Sequence, residues 1–177
     1  MAFIPQDQNP SMKPSFWGSA DGNDEALLDA LNQVVDRGAE SLMILSCSAN
    51  NHSAQHLSGG LKSCAIPVCR AVFPSVFFAD KKLDTGFIIV GLPFSISVKS
   101  YSLNDSTFEV DGAAVLHGYT NNKSQDLLVF IDAMANTTEA FISKLFESIG
   151  GGMDVIGGGA GSVDFIQNHA YFPVQVC

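Results

Sequence analysis

The chain has 177 residues, 46% of them hydrophobic, with 9 basic against 18 acidic side chains and a formal net charge of −9. That length and apolar content suit one folded domain with its own core and argue against a disordered chain. The charge balance speaks against nucleic acid, which needs clustered Lys and Arg, and against an anionic membrane surface.

Nothing in the sequence reads as a membrane span. The longest apolar stretch, around Phe87–Phe94, contains Gly91 and Pro93 and falls short of the roughly 20 residues that a helix needs. The opening MAFIPQDQNP has no basic region followed by an apolar one, so no secretory signal is read there. Cys47, Cys64, Cys69 and Cys177 lack CxxC spacing. They are expected as reduced, mostly buried thiols of a cytoplasmic protein and not as zinc ligands.

In chain order, residues 1–23 are polar and rich in Pro, Ser, Gly and Asn. They read as a tail or an edge extension, with Phe16 and Trp17 as its docking points, and residues 24–177 read as the domain. Asp24-Glu25 opens an amphipathic helix with Leu27, Leu28, Leu31, Val34 and Val35 at helical spacing, and Gly38 follows as its C-cap. Ser41–Cys47 is a short apolar run, predicted as a buried strand. Asn50-Asn51-His52-Ser53 is a loop that caps a helix over Ala54–Ser63, and Ala65–Val72 is the next strand, interrupted by Phe73-Pro74. Thr85–Gly91 and Ser95–Tyr101 read as two strands paired around Leu92-Pro93, and Asp111–His117 as a further strand. Leu127–Asp132 is a buried strand. Thr137 or Thr138 then caps a helix with Phe141, Leu145, Phe146 and Ile149 on one face, and Gly150-Gly151-Gly152 ends it. Met153–Ile156 is a strand that enters a glycine turn at Gly157–Gly161.

Two stretches repeat the order strand, loop, helix, strand, sharp turn. Ser75-Val76-Phe77-Phe78 matches Ser162-Val163-Asp164-Phe165 at an offset of 87, which also sets Leu42–Leu45 on Val129–Asp132 and Ile66–Val68 on Met153–Val155. The expected architecture is α/β: a mixed sheet flanked by helices, built from two strand–helix–strand–turn units whose turns face one cleft. The sharpest chemical reading of Gly157–Gly161 is a concave nest of amide N–H groups that takes an anion; the bland one is a tight turn under close packing. The spacing fits neither the dinucleotide fingerprint, since Ser162 stands where a glycine is needed, nor a Walker A loop.

Arg70 ends an apolar run in a chain poor in cations, and a charge there needs a partner. Asp80 or Asp84 would satisfy it structurally; otherwise it receives a carboxylate or phosphate in bidentate fashion, with Ser48, Asn50, Ser75, Ser162 and Asp164 around it. His52 and His56 lie four apart without an intervening Glu, which leaves a helix cap and a surface histidine, or weak haem or metal ligands. His117 and His169 read as core or sheet-face histidines. Asp132, at a strand end, suits a turn or cap better than a general base. No GxSxG elbow and no nucleophile–base pair marks an enzyme.

The succession SLMILSCSANN, helix, AIPVCRAVFPS, then DLLVFID, helix, DVIGGGAGSVDF and NHAYF resembles FIST_N, the N-terminal part of the FIST (F-box and intracellular signal transduction) domain, across residues 24–177. The family's second part carries an IGG-x-AG-like turn followed by an Asp, matched by Ile156–Gly161 and Asp164. Its first turn is Gly-Cys-Ser-like, where this chain has Arg70–Ser75, and its C-terminal part is absent here. The resemblance implies a cytoplasmic, non-enzymatic sensory domain that binds a small molecule and is linked to a signalling protein such as a histidine kinase or a cyclase. Arg70, Ser75, Gly158, Gly159, Ser162 and Asp164 would be its ligand-binding residues. One subgroup is similar to haem-binding nitric-oxide sensors, for which His52 or His56 would be the axial ligand.

Overall fold

Helix α1 (Asp24–Asp36) starts at a polar cap. The Asn23 side chain accepts from the Ala26 N–H at 2.8 Å, and Asp24 and Glu25 lie in the first turn, where the helix dipole favours negative charge. Leu27, Ala30, Leu31 and Val34 are buried on one face. Gly38, with φ 89°, stops the helix as its N–H reaches the Val35 carbonyl at 2.8 Å. In the computed structural model, which describes residues 13–50, 52, 54–101, 126–150, 153–162 and 174–176, this helix covers the first of two four-stranded mixed sheets.

The first sheet contains β1 (Ser15–Ser19), β2 (Ser41–Cys47), β3 (Val68–Phe73) and β6 (Phe87–Leu92), in the order β1-β6-β2-β3. Strands β2 and β3 are parallel, joined across helix α2 (Ala54–Lys62), and β6 runs antiparallel to both of its neighbours. The helices close one face, with Leu27, Leu31, Val34 and Leu57 against Leu42, Ile44, Phe87 and Ile89. A hairpin of β4 (Val76–Phe78) and β5 (Lys81–Leu83) closes the other, over Cys47, Ile88 and Val90. Its two-residue turn, Ala79-Asp80, holds positive φ at both positions (49° and 63°), as the twist of a tight hairpin requires. Burial on both faces explains why β6 is an unbroken apolar run.

The second sheet contains β7 (Lys99–Tyr101), β8 (Asp126–Asp132), β9 (Asp154–Ala160) and β10 (Val174–Val176), in the order β7-β10-β8-β9. Strands β8 and β9 are parallel, joined across α3 (Thr138–Ile149), and β10 is antiparallel to β7 and β8. Phe141, Leu145 and Ile149 of α3 pack on Leu127, Val129 and Ile131, with the Tyr101 ring 5.4 Å from that of Phe141. Phe146, expected on this face, is 49% exposed; the buried row repeats every four residues, which turns position 146 outward.

The two sheets share strand order and register. Leu42 pairs Val68 as Leu127 pairs Val155; Leu45 pairs Ile88 as Phe130 pairs Gln175; Trp17 pairs Ile89 as Lys99 pairs Val176. Beyond the parallel strands, Ser48 N–H donates to the Phe73 carbonyl (2.7 Å) as Ala133 N–H donates to that of Ala160 (3.1 Å). Strand β3 maps on β9 at the offset of 87, but β2 maps on β8 at 85, so the single-offset alignment misplaces β2 by two residues.

Residues 15–19, within the stretch read as tail or edge extension, are an edge strand hydrogen-bonded to β6, with Trp17 against the helix-side core and Phe16 63% exposed. Two other expectations change. The segments expected to pair around Leu92-Pro93 fall into different sheets, β6 in the first and β7 in the second. The glycine turn after Ile156 is not a turn: Gly157, Gly158 and Gly159 are strand, paired with Val129, Phe130 and Ile131. Asp111–His117, Asp164 and His169 lie outside the described residues.

Candidate functional site

The sheets meet where β3 and β9 end. Gly161 N–H donates to the Val72 carbonyl at 2.9 Å, and the Phe73 ring stands edge-on to Phe130, 5.9 Å between centroids. At the offset of 87, Gly161 corresponds to Pro74 and Val72 to Gly159. A symmetric junction would add a donation from position 74 to the carbonyl of 159, and proline has no N–H to give.

Several of the residues singled out in the sequence lie on the two segments that this bond joins. Arg70, half-buried on β3, pairs Ile44 and so lies on the α1/α2 face of its sheet. Ser75, half-buried, stands in the short link from β3 to β4. Gly158 and Gly159 are exposed on β9, and half-buried Ser162 follows the Gly161 bond. Asp84, one proposed partner of Arg70, is held by Lys82 at 2.6 Å.

The glycines there do not form an anion nest, because among the described glycines only Gly38, Gly86 and Gly150 have positive φ. Their role is close approach. A Cβ on Gly157 would overlap the Val129 carbonyl oxygen, and one on Gly159 would stand 2.7 Å from Ala133 Cβ, while Gly158 faces open space.

A second polar cluster gathers at the carboxyl end of β2, beside the N-termini of α1 and α2. Asn50 Nδ2 donates to the Gly86 carbonyl (2.7 Å) and Gly86 N–H to Asn50 Oδ1 (2.6 Å), so the side-chain amide pairs with the backbone as another strand would. Asn50 Nδ2 also lies 2.9 Å from His52 Nε2, and His52 Nδ1 lies 2.8 Å from Asp24 Oδ1. His52 and Asp24 are only 12% and 8% exposed. Ala20, Asp21, Gly22, Asn23, Ala49, Asn50 and Thr85 line an open cleft of about 300 Å³ beside them. The sequence marked Asn50 and His52 as cap chemistry; Asp24 and Gly86, 28 and 36 residues away from their partners, carried no signal of this contact.

Both ring nitrogens of His52 are engaged, which leaves none for a haem iron. His56 lies on α2. Among the described residues no group of three or more His, Cys, Asp and Glu is placed to hold a metal. Asp132 is buried, and its Oδ1 accepts from Met134 N–H at 2.9 Å, a turn role.

The cysteines depart from expectation. Cys47 and Cys64 are free, but Cys69 is disulfide-bonded. Burial pushes the Cys47 thiol up, partly offset by the Val76 backbone and reinforced by the Asp84 charge, and Cys47 Sγ lies 3.2 Å from the Leu83 carbonyl that it donates to. Such a thiol is a poor nucleophile. Ser46 Oγ is buried and has no partner. No helix among the described residues is long and apolar enough to cross a membrane. No protein-family model, curated protein or solved structure matches the chain.

Proposed function

We propose that the chain is a sensory domain of FIST type that binds a small polar molecule where its two sheets meet and performs no chemistry on it. The observation that carries this reading is the Gly161–Val72 hydrogen bond, which draws the Arg70–Ser75 and Gly158–Ser162 segments to one place. In open α/β sheets, ligands favour the carboxyl ends of parallel strands, and here two such ends converge. Arg70 brings a planar charged fork suited to a carboxylate, and exposed Gly158 leaves room for a ligand against the β9 backbone. The engaged nitrogens of His52 and the suppressed Cys47 thiol fit binding better than catalysis. The family resemblance adds a histidine kinase or cyclase as output partner and an intracellular setting. The Cys69 disulfide pulls against that setting, since such bonds persist in oxidising compartments.

The test is a thermal-shift screen of amino acids and small carboxylates. A ligand at about 100 times its Kd adds about 2.7 kcal/mol of stability. Arg70→Ala and Gly158→Val should each abolish that gain while the unliganded melting temperature stays close to that of the parent. A screen without hits, or variants that keep the full gain, would sink the reading. The haem variant would need an axial ligand other than His52; reconstitution that leaves no Soret band disposes of it.

A further inference from the structure

His52 stands between two neighbours with opposite demands. Asp24 Oδ1, 2.8 Å from Nδ1, accepts an N–H whether the ring is neutral or charged. Asn50 Nδ2, 2.9 Å from Nε2, is a donor and needs a bare ring nitrogen. Asn50 cannot turn over to suit a protonated ring. Its Oδ1 is fixed by the Gly86 N–H and its Nδ2 by the Gly86 carbonyl, so a flipped amide would set donor against donor and acceptor against acceptor. Both contacts are met at once by a ring that carries a proton on Nδ1 and leaves Nε2 bare.

We propose that His52 is a proton-sensitive latch on the cleft beside it: neutral, it clasps Asn50, and protonated, it lets Asn50 go and loosens the loops that line the cleft. Asn50 lines that cleft itself, and Thr85 adjoins its partner Gly86. Among the described residues, the charged groups beside His52 are acidic: Asp24 in contact, Asp21 and Glu25 on the turn and first helical turn beside it, and Asp84 next to Thr85; α2, which follows His52, carries the titratable His56. Asp84 is already paired with Lys82. Residues 46–50 carry no charge. Buried Asp24 holds the ring in both states, so the bond that gives way on acidification is the one to Asn50. This inference does not depend on a ligand at the sheet junction.

The experiment is a pH titration of the ¹⁵N-labelled full chain by NMR. Long-range proton–nitrogen spectra should show the neutral Nδ1–H form of His52 at alkaline pH. On acidification the Asn50 side-chain NH₂ and the Gly86 amide should shift with the same midpoint as the ring. In His52→Gln that shared pH dependence should vanish while α3 amide shifts stay put. Asn50→Asp, which offers the ring a carboxylate oxygen in place of the NH₂, should keep His52 protonated to higher pH than in the parent. An Nε2–H tautomer, flat Asn50 and Gly86 signals through the ring's titration, or an unmoved midpoint in Asn50→Asp would each overturn the latch.

Discussion

The two sheets reach one register by different chemistry. In the first, the end of β2 is tied down at long range: Asn50 bridges to Gly86 and His52 to Asp24. In the second, the end of β8 looks after itself, with Asp132 Oδ1 taking the Met134 N–H and its carbonyl the Thr138 hydroxyl at 2.8 Å. Where β3 carries Arg70, β9 carries Gly157, jammed against the Val129 backbone. Backbone pairing thus defines the common frame, and the side chains differ within it: long-range polar ties in one half, a wall of closely approaching backbone at Gly157 in the other.

The most forceful way to break this comparison is to empty each core in turn. Phe87 and Phe141 are both fully buried, one in each sheet's core. Phe87→Ala and Phe141→Ala should each cost about 3–5 kcal/mol in urea unfolding. Trp17, the sole tryptophan, sits in the first sheet. If the junction couples the sheets, its fluorescence will report the Phe141→Ala loss in full and coincide with the circular dichroism transition; two separated transitions would show independent halves.

Smaller effects sharpen the picture of the wall. Gly157→Ala should destabilise by about 1–3 kcal/mol, since its methyl group meets backbone, while Gly158→Ala should be neutral or stabilise by about 0.5 kcal/mol. Equal costs at the two positions would refute the close-approach account. Ser46→Ala removes a buried hydroxyl that has no partner and should raise stability by about 1 kcal/mol, measured in the same unfolding assay. The thiols come last. Reduced denatured chain should titrate four thiols and unreduced chain fewer, because Cys69 is disulfide-bonded while Cys47 and Cys64, among the described residues, are free. In the native chain near pH 8, alkylation should reach Cys64 well before Cys47, whose raised pKa keeps it protonated; the gap should narrow only as pH climbs past the ordinary thiol range.

Strong local periodicity made much of the fold legible. Strands β2, β3, β6, β8 and helices α1, α2 and α3 follow from apolar runs, caps and stop residues. Where sequence reasoning went astray, the deciding contact was remote. β1 is short and mixed, and only its pairing with β6 makes it a strand. The glycine run reads as a turn by composition, yet β8 recruits it as a strand because absent side chains let the backbones close in. The candidate site residues were picked by type, and the bond between the two segments that carry them joins Gly161 to Val72, far apart in the chain. The Asn50–His52–Asp24 cluster stayed hidden for the same reason.

Strand β10 is three residues long, yet it lies inside its sheet, bonded to both β7 and β8. The same holds for β6 in the first sheet. Each sheet is therefore completed by an inner strand that emerges after the strands it joins, which makes assembly wait for distant chain and slows folding. A chain that stopped before Val174 would leave β7 without its partner and give β8 a bare edge, the kind of surface that seeks another strand to bind.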